Sequence, residues 1–476
     1  MGSSTQMSAK DRIEALLDNN SFVEIGALVT KRSTDFNLDK VDAPSDGVIT
    51  GYGLIDGSLV YVYSQDAKVL HGTIGEMHAK KIVRLYDLAL KTGAPVIALI
   101  DCAGIRLQEA TDALAGFGEV YFKQTMASGV VPQLTAVFGT CGGGSVVSAA
   151  LSDFTFMPKK NAKLFVNAPN TLEGNYTAKC DTGAAQYQAA NGIVDVVKED
   201  EAEVLESIRT LVSILPCNNA AEAVVDCVDS LNRAVSFDAL CADPAKALED
   251  LSDDNFFFEV KKDYAKEMVT GFIKVDGMTI GAIANRTAVL DDNGKASEKY
   301  EAALTTNGCA KAEQFVKFCD AFNIPVVTFT NVNGYKATVS EEKTIAIAAA
   351  KLTAAFANAT VAKVNVISGV AYGSTYIVMN SKHIGADMVF AVEGAKIGMM
   401  DAALAAQIIA PEKTADDRKA VADAYASLQG SAEAAAKRGY VDAIVSADSL
   451  RQHLSYAFGM LYSKRDAQPA KKHGTI

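Results

Sequence analysis

The stretch Phe138-Gly139-Thr140-Cys141-Gly142-Gly143-Gly144-Ser145 is where the sequence offers chemistry. An apolar run, Leu134 to Phe138, leads into it, and a small-residue segment, Val146 to Leu151, leads out. The pattern predicts a buried strand, a glycine turn and the start of a helix. Three consecutive glycines leave the backbone uncovered. A ligand carbonyl can then approach the N–H groups at the helix N-terminus, where the dipole also favours negative charge. Such a turn is either an oxyanion hole or a tight packing turn with no ligand, and the stretch alone leaves both open.

Side chains offer less. There is no Walker loop, no G-x-S-x-G, no HExxH and no DFG-type set. None of the five histidines, His71, His78, His383, His453 and His473, sits beside an obvious nucleophile. His78, just before Ala79 on a helical stripe, reads as a packing residue rather than a base. Cys102 and Cys141 lie in glycine loops without a basic neighbour in sequence and read as packing thiols. Glu109, Asp112 and Glu119 read as solvated or helix-capping carboxylates. The remaining chemistry is backbone N–H.

The glycine turn occurs twice. Gly143 and Gly373 are 230 positions apart, and the same offset joins Pro95 to Pro325, Gly104 to Gly334 and Val131 to Val361. Val364-Asn365-Val366-Ile367 precedes Gly373-Ser374 as Leu134 to Phe138 precedes the first turn. An enzyme with two such holes and no essential acid or base would stabilise two enolate-like or enolic oxygens.

The elements that must hold these turns are legible around them. Val48 to Tyr63 is two β-branched and aromatic runs about Asp56-Gly57, a hairpin signal. Val269 to Gly281 repeats it about Asp276-Gly277, at an offset of 220 from Gly57 to Gly277. Helices are predicted over Asp11 to Leu17, Gly75 to Lys91, Glu201 to Leu215, Lys311 to Phe322 and Arg418 to Arg438, from apolar residues at helical spacing or alanine-rich composition. Pro95 and Pro325 each open a fully apolar run that reads as a buried parallel strand, and each run ends in a glycine loop, Cys102-Ala103-Gly104-Ile105-Arg106 or Val332-Asn333-Gly334-Tyr335-Lys336. The fold class is therefore α/β with β-α-β units, and ligands are expected at the carboxyl ends of the strands, where all four glycine loops fall. Two domains are expected for 476 residues, 1–235 and 236–476.

Composition narrows the classes. Hydrophobic residues make up 49% and charged residues 21%, a globular balance. A net charge of −12 argues against broad nucleic-acid binding. No segment has membrane character; alanine-rich Thr344 to Val364 carries Lys351 and Lys363. Eight cysteines without a CxxC pair suit a reducing cytoplasm and offer no zinc site. Met1-Gly2-Ser3-Ser4 has no signal-peptide run, and Met7 is the expected natural start.

Several stretches then carry a resemblance. They are Gly72-x-x-Gly75-Glu76-Met77-His78-Ala79-Lys80-Lys81, Arg106-Leu107-Gln108-Glu109, Asp112 to Glu119, Phe318 to Pro325, Met379 to Ala391, and the tail from Lys464-Arg465 to Lys471-Lys472-His473-Gly474. Over nearly its whole length the chain resembles the carboxyltransferase subunits of biotin-dependent acyl-CoA carboxylases and decarboxylases. The resemblance implies two tandem crotonase-like (ClpP/crotonase) β-β-α superhelix domains related by duplication, with the acyl-CoA side first and the biotin side second. It implies a hexamer, a trimer of dimers, with the active site between the N-domain of one subunit and the C-domain of its partner. Gly143 and Gly144 would hold the thioester oxygen of an acyl-CoA as its enolate forms. Gly373 and Ser374, with Thr375, would hold the ureido oxygen of biotin. Ala103, Gly104, Arg106, Gly142, Gly334, Tyr335 and Tyr372 would line the substrate and biotin sites, and Ile377 matches a position that helps choose a short acyl chain. The implied partners are a separate biotin carrier protein, because no Met-Lys-Met biotinylation site occurs, and a biotin carboxylase or membrane decarboxylase subunit.

Departures from the family cluster on the implied biotin side. Gly369-Val370 replaces Arg-Lys, Gly373-Ser374-Thr375 replaces Gly-Gly-Ala, and Asn333-Gly334-Tyr335 replaces Pro-Gly-Phe. In the first loop Ala103-Gly104-Ile105 replaces Gly-Gly-Ala, and Asp401 to Ala406 replaces a Glu-Gly-Ala-Val-Asn-Ile segment. They keep two alternatives in view: a crotonase-type CoA-thioester enzyme that works without biotin, and a non-catalytic scaffold of such a complex.

Overall fold

The structure is a computed structural model that describes residues 6–225, 227–291 and 293–476. The chain divides into two compact units, Met1–Glu222 and Ala223–Ile476. Residues 223–225 go with the second unit because Val224 bridges to Met278.

In the first unit the hairpin forms as Val48–Ile55 and Ser58–Gln65. Asp56 (φ 47°) and Gly57 (φ 78°) both have positive φ, as a tight hairpin turn of this twist requires. Ser58–Gln65 then pairs in parallel with Val96–Cys102, which pairs with Gln133–Gly142, Phe154–Pro158 and Val196–Lys198 in turn. The short strand Lys163–Phe165 lies beside the far end of Gln133–Gly142. Helix Glu76–Thr92 stops at Gly93 in the left-handed conformation and buries Ala79, Ile82, Leu85, Tyr86 and Ala89. That face joins the strand residues Val96, Ala98, Ile100 and Val137 in one core.

The second unit repeats the plan. The hairpin is Met268–Val275 and Met278–Asn285, followed by helix Thr306–Ala321 and the parallel strands Val326–Val332, Lys363–Tyr372, Met388–Val392 and Ala443–Val445. Even the register repeats: Tyr61 faces Val96 as Gly281 faces Val326, and Val96 faces Gln133 as Val326 faces Lys363. Duplicated α/β units are therefore present in pairing as well as in sequence. One expectation changes. The helix predicted over Arg418 to Arg438 is broken at Gly430 into Ala415–Gln429 and Ala432–Ala436. Ser431 caps the second piece by accepting from Ala434 N–H at 3.1 Å, a start signal that alanine content alone does not carry. Among the described residues no helix is long and apolar enough to cross a membrane.

Candidate active site

The parallel pair Val96–Cys102 and Gln133–Gly142 does not run evenly into its glycine turn. Ile100 faces Val137, but Cys102 faces Cys141, so Phe138, Gly139 and Thr140 bulge opposite Asp101. The second unit has the same irregularity: Thr330 faces Ile367 and Val332 faces Ala371, with Ser368, Gly369 and Val370 opposite Asn331. Bulges of this kind bend a strand and re-aim the residue beyond its end. That residue is Gly143 in one unit and Gly373 in the other.

Gly143 has φ 58° and ψ −126°, and a Cβ there would meet nothing within 4 Å. One face of the turn is therefore open. Gly143 donates its N–H to the Phe165 carbonyl at 3.1 Å. Gly144 opens helix Gly144–Ala150, and its N–H has no carbonyl inside the helix to meet. Its own carbonyl accepts from Tyr121 Oη at 2.6 Å, so the turn is anchored from the neighbouring helix Ala110–Ala127. Gly104 (φ 117°) brings the first loop alongside: a Cβ on it would lie 3.5 Å from the Gly142 carbonyl. Ala103 is exposed next to them. Ala103, Gly104, Gly142, Gly143 and Gly144 thus form one backbone surface.

Arg106 is not part of that surface. It is 1% exposed, with Nη1 2.6 Å from Asp46 Oδ1 and 2.8 Å from Glu109 Oε1, and Nη2 donating to the Thr73 carbonyl at 2.9 Å. Expected at the ligand, it instead holds the loop from beneath, with its charge engaged by two buried carboxylates. Burial pushes the Asp46 carboxyl up, and Arg106 opposes that. Glu109 also accepts the N–H of Glu76 at 2.6 Å, capping helix Glu76–Thr92 from another segment. Gly75 completes this knot, since a Cβ on it would sit 2.5 Å from Arg106 Nη1.

The packing readings of His78, Cys102 and Cys141 agree with their surroundings. His78 is fully buried, with Nδ1 2.9 Å from the Asp46 carbonyl and Nε2 3.1 Å from Gln65 Nε2. Burial, with Arg106 nearby, takes its pKa down to about 3, so it is neutral with Nδ1 donating and Nε2 accepting. Burial raises both thiols.

In the second unit Gly373 has φ 60° and opens helix Gly373–Val378. Ser374 is exposed, and its hydroxyl lies 3.4 Å from Tyr335 Oη. Gly334 and Tyr335 form a short parallel pairing with Ala303 and Leu304, and a Cβ on Gly334 would meet nothing within 4 Å. Gly334, Tyr335, Gly373 and Ser374 are brought together at strand ends. Thr375 is not available to a ligand: it is buried and donates to the Tyr372 carbonyl at 2.8 Å, tying the turn to itself. Tyr372 is likewise buried, and Ile377 is half-buried against the core of Ile367, Ala371 and Tyr376. Among the described residues no cluster of His, Cys, Asp and Glu could hold a metal ion.

Sequence reasoning passed over Asp101, Asn331 and Tyr121. The first two carry the 230-residue offset and stand one residue before the ends of their strands, which is the signal that would have found them. Tyr121 has no counterpart at that offset, where Lys351 stands, so the repeat could not point to it.

The carboxyl transferase domain model matches residues 3–476. The chain is 38% identical to the methylmalonyl-CoA decarboxylase alpha subunit of Propionigenium modestum, covering 99% of this chain and 93% of the relative. It is 38% identical to the propionyl-CoA carboxylase beta chain of Roseobacter denitrificans, covering 99% and 94%. It overlays a chain of the transcarboxylase 12S hexamer structure, solved with hydrolysed methylmalonyl-coenzyme A bound, with a TM-score of 0.92 at 34% identity, covering 99% of this chain and 92% of that one. The two α/β units are thus the crotonase-like pair of that structure, and the chain belongs to the carboxyl transferase family.

Proposed function

We propose that this chain is the carboxyltransferase component of a biotin-dependent acyl-CoA carboxylase or decarboxylase. It moves a carboxyl group between biotin on a separate carrier protein and the α-carbon of a short-chain acyl-CoA such as propionyl- or methylmalonyl-CoA. The observation that carries this reading is the duplicated strand, bulge and positive-φ glycine turn, one copy in each unit, with open space at Gly143 and the Met399 carbonyl 3.3 Å from where a Cβ on Gly373 would lie. Biotin, when bound, supplies or accepts the carboxyl group.

The residues at the second turn fit a cyclic urea oxygen. Gly334 leaves open space, Ser374 presents a hydroxyl, and Tyr335 presents a second one 3.4 Å away. In the first unit the thioester oxygen sits over the Gly143 face and accepts from Gly144 N–H. That N–H strengthens its bond as negative charge grows on the oxygen, which lowers the barrier to the enolate. Gly143 serves by having no side chain, its own N–H being engaged by Phe165. Arg106, Asp46 and Glu109 hold the Ala103-Gly104 loop in place, and Ile377 of the partner subunit shapes the acyl pocket. The N-terminal domain is the acyl-CoA side and the C-terminal domain the biotin side. The protein works in the cytoplasm as a hexamer, with a biotin carrier and either a biotin carboxylase or a membrane decarboxylase subunit.

The test is loss of methylmalonyl-CoA catalysed by the purified protein with and without free biocytin. Loss that requires biocytin supports the reading. Equal loss without biocytin would favour a biotin-independent CoA-thioester enzyme.

A further inference from the structure

We infer that Asp101 and Asn331 are positioning residues of the two glycine turns, each holding the strand bulge that aims the N–H donors of its unit. The inference rests on the carboxyl-transfer reading for its kinetic part and on geometry alone for the rest.

The two residues occupy equivalent places, the last inward position of Val96–Cys102 and of Val326–Val332 before the loop. Each faces three bulged residues across the sheet. A bulge leaves a backbone N–H without its ladder carbonyl. Here a side-chain oxygen replaces it. The Asp101 carboxylate lies against the bulge, 1.9 Å from where a Cβ on Gly139 would fall, with the Thr140 N–H among the groups that favour its charged form, and Asn331 Oδ1 accepts from Val370 N–H at 3.0 Å. The residue before each donor is glycine for a steric reason. A Cβ on Gly139 would fall 1.9 Å from Asp101 Oδ1, and a Cβ on Gly369 would fall 2.6 Å from Asn331 Oδ1. Gly143 and Gly373 lie three residues beyond these donors, so a shift of the bulge is carried directly into the turn.

The second polar atom explains why one unit uses an acid and the other an amide. Asp101 Oδ2 is met by donors, Arg12 Nη1 and Gln6 Nε2, each at 3.4 Å. Arg12 is itself buried and held by Glu201 at 2.9 Å. Asn331 Nδ2 instead meets an acceptor, the Cys241 carbonyl at 2.8 Å. Both side chains are therefore fixed at two points, and both present an oxygen to the bulge.

The test uses the full-length variants Asp101→Ala, Asp101→Asn and Asn331→Ala. Backbone amide exchange is followed over segments 139–146 and 369–376, alongside kcat and KM for methylmalonyl-CoA with biocytin. Asp101→Ala is expected to speed exchange in 139–146 and leave 369–376 at the wild-type level. Asn331→Ala is expected to do the reverse. Each is expected to lower kcat roughly 10- to 100-fold, the scale of a displaced donor. Asp101→Asn keeps the oxygen that faces the bulge but turns an amide N–H toward the donors Arg12 and Gln6, so it is expected to lower Tm while keeping protection of 139–146 and kcat nearer to wild type than Asp101→Ala does. Should Asp101→Ala fail to fold, Asp101→Asn and Asn331→Ala carry the same comparison. Equal exchange in both segments for Asn331→Ala, at the wild-type level or uniformly faster, would overturn the inference. Segment-specific exchange without wild-type turnover would leave the positioning role standing and refute the carboxyl-transfer reading.

Discussion

The proposed reaction needs Gly143, although packing scarcely depends on it. Its φ of 58° with ψ −126° is a backbone state that L side chains avoid, and no atom lies within 4 Å of a Cβ there. Gly143→Ala therefore meets no clash and costs about 1–3 kcal/mol of local strain. The turn is expected to relax, giving a loss of kcat of roughly 10- to 100-fold with only a small fall in Tm. Gly144→Ala differs, because its Cβ would lie 2.8 Å from Tyr121 Oη and would displace the bond that anchors the turn. Steady-state kinetics and thermal melts of the two variants check both statements. His78 supplies a pH prediction. Its folded pKa, about 3, is depressed below the ordinary 6.5, so protonation favours the unfolded chain. The stability it contributes is intact above pH 6.5 and is lost as pH falls from 6.5 toward 3. Melts across that window are expected to show a slope that His78→Gln reduces, and an unchanged slope would contradict the assignment.

Two hairpins of one design have different surroundings, and this separates turn chemistry from packing. Gly57 and Gly277 both carry φ 78°, but a Cβ on Gly57 meets nothing, whereas one on Gly277 would sit 1.9 Å from the Val225 carbonyl. Gly57→Ala is expected to cost about 1–2 kcal/mol, the left-handed backbone term alone. Gly277→Ala is expected to cost several times more, because Val225 and its bridge at Val224 must move. Denaturant midpoints of the two variants measure the difference. The hairpins, the buried parallel strands and the glycine turns were legible in the sequence, because apolar runs bounded by glycine or proline recur at offsets of 220 and 230. The knot of Asp46, Arg106 and Glu109 was not, because Asp46 and Arg106 are 60 residues apart and a buried carboxylate looks like a solvated one in a string of letters. The break at Gly430 was hidden by alanines on both sides that favour helix in either case. That Gly143 spends its N–H on Phe165 depends on the strand Lys163–Phe165 returning beside the turn, a tertiary pairing with no local signature.

For the whole molecule, duplication accounts for the plan: two units each end their central strands in a bulge and a glycine turn, and the proposed reaction, which must hold two oxygens, would use one turn for each. Assembly should match the hexameric transcarboxylase. Six chains of 50.2 kDa make a particle of about 300 kDa, which light scattering would detect. A monomer or dimer would argue against the proposed assembly. The most direct test of the central claim is the rate of methylmalonyl-CoA loss with the full-length protein, measured with and without biocytin and repeated with Gly144→Ala. Carboxyl transfer through paired turns predicts loss that requires biocytin and falls sharply in the variant. Loss that ignores biocytin, or that survives Gly144→Ala unchanged, would contradict it.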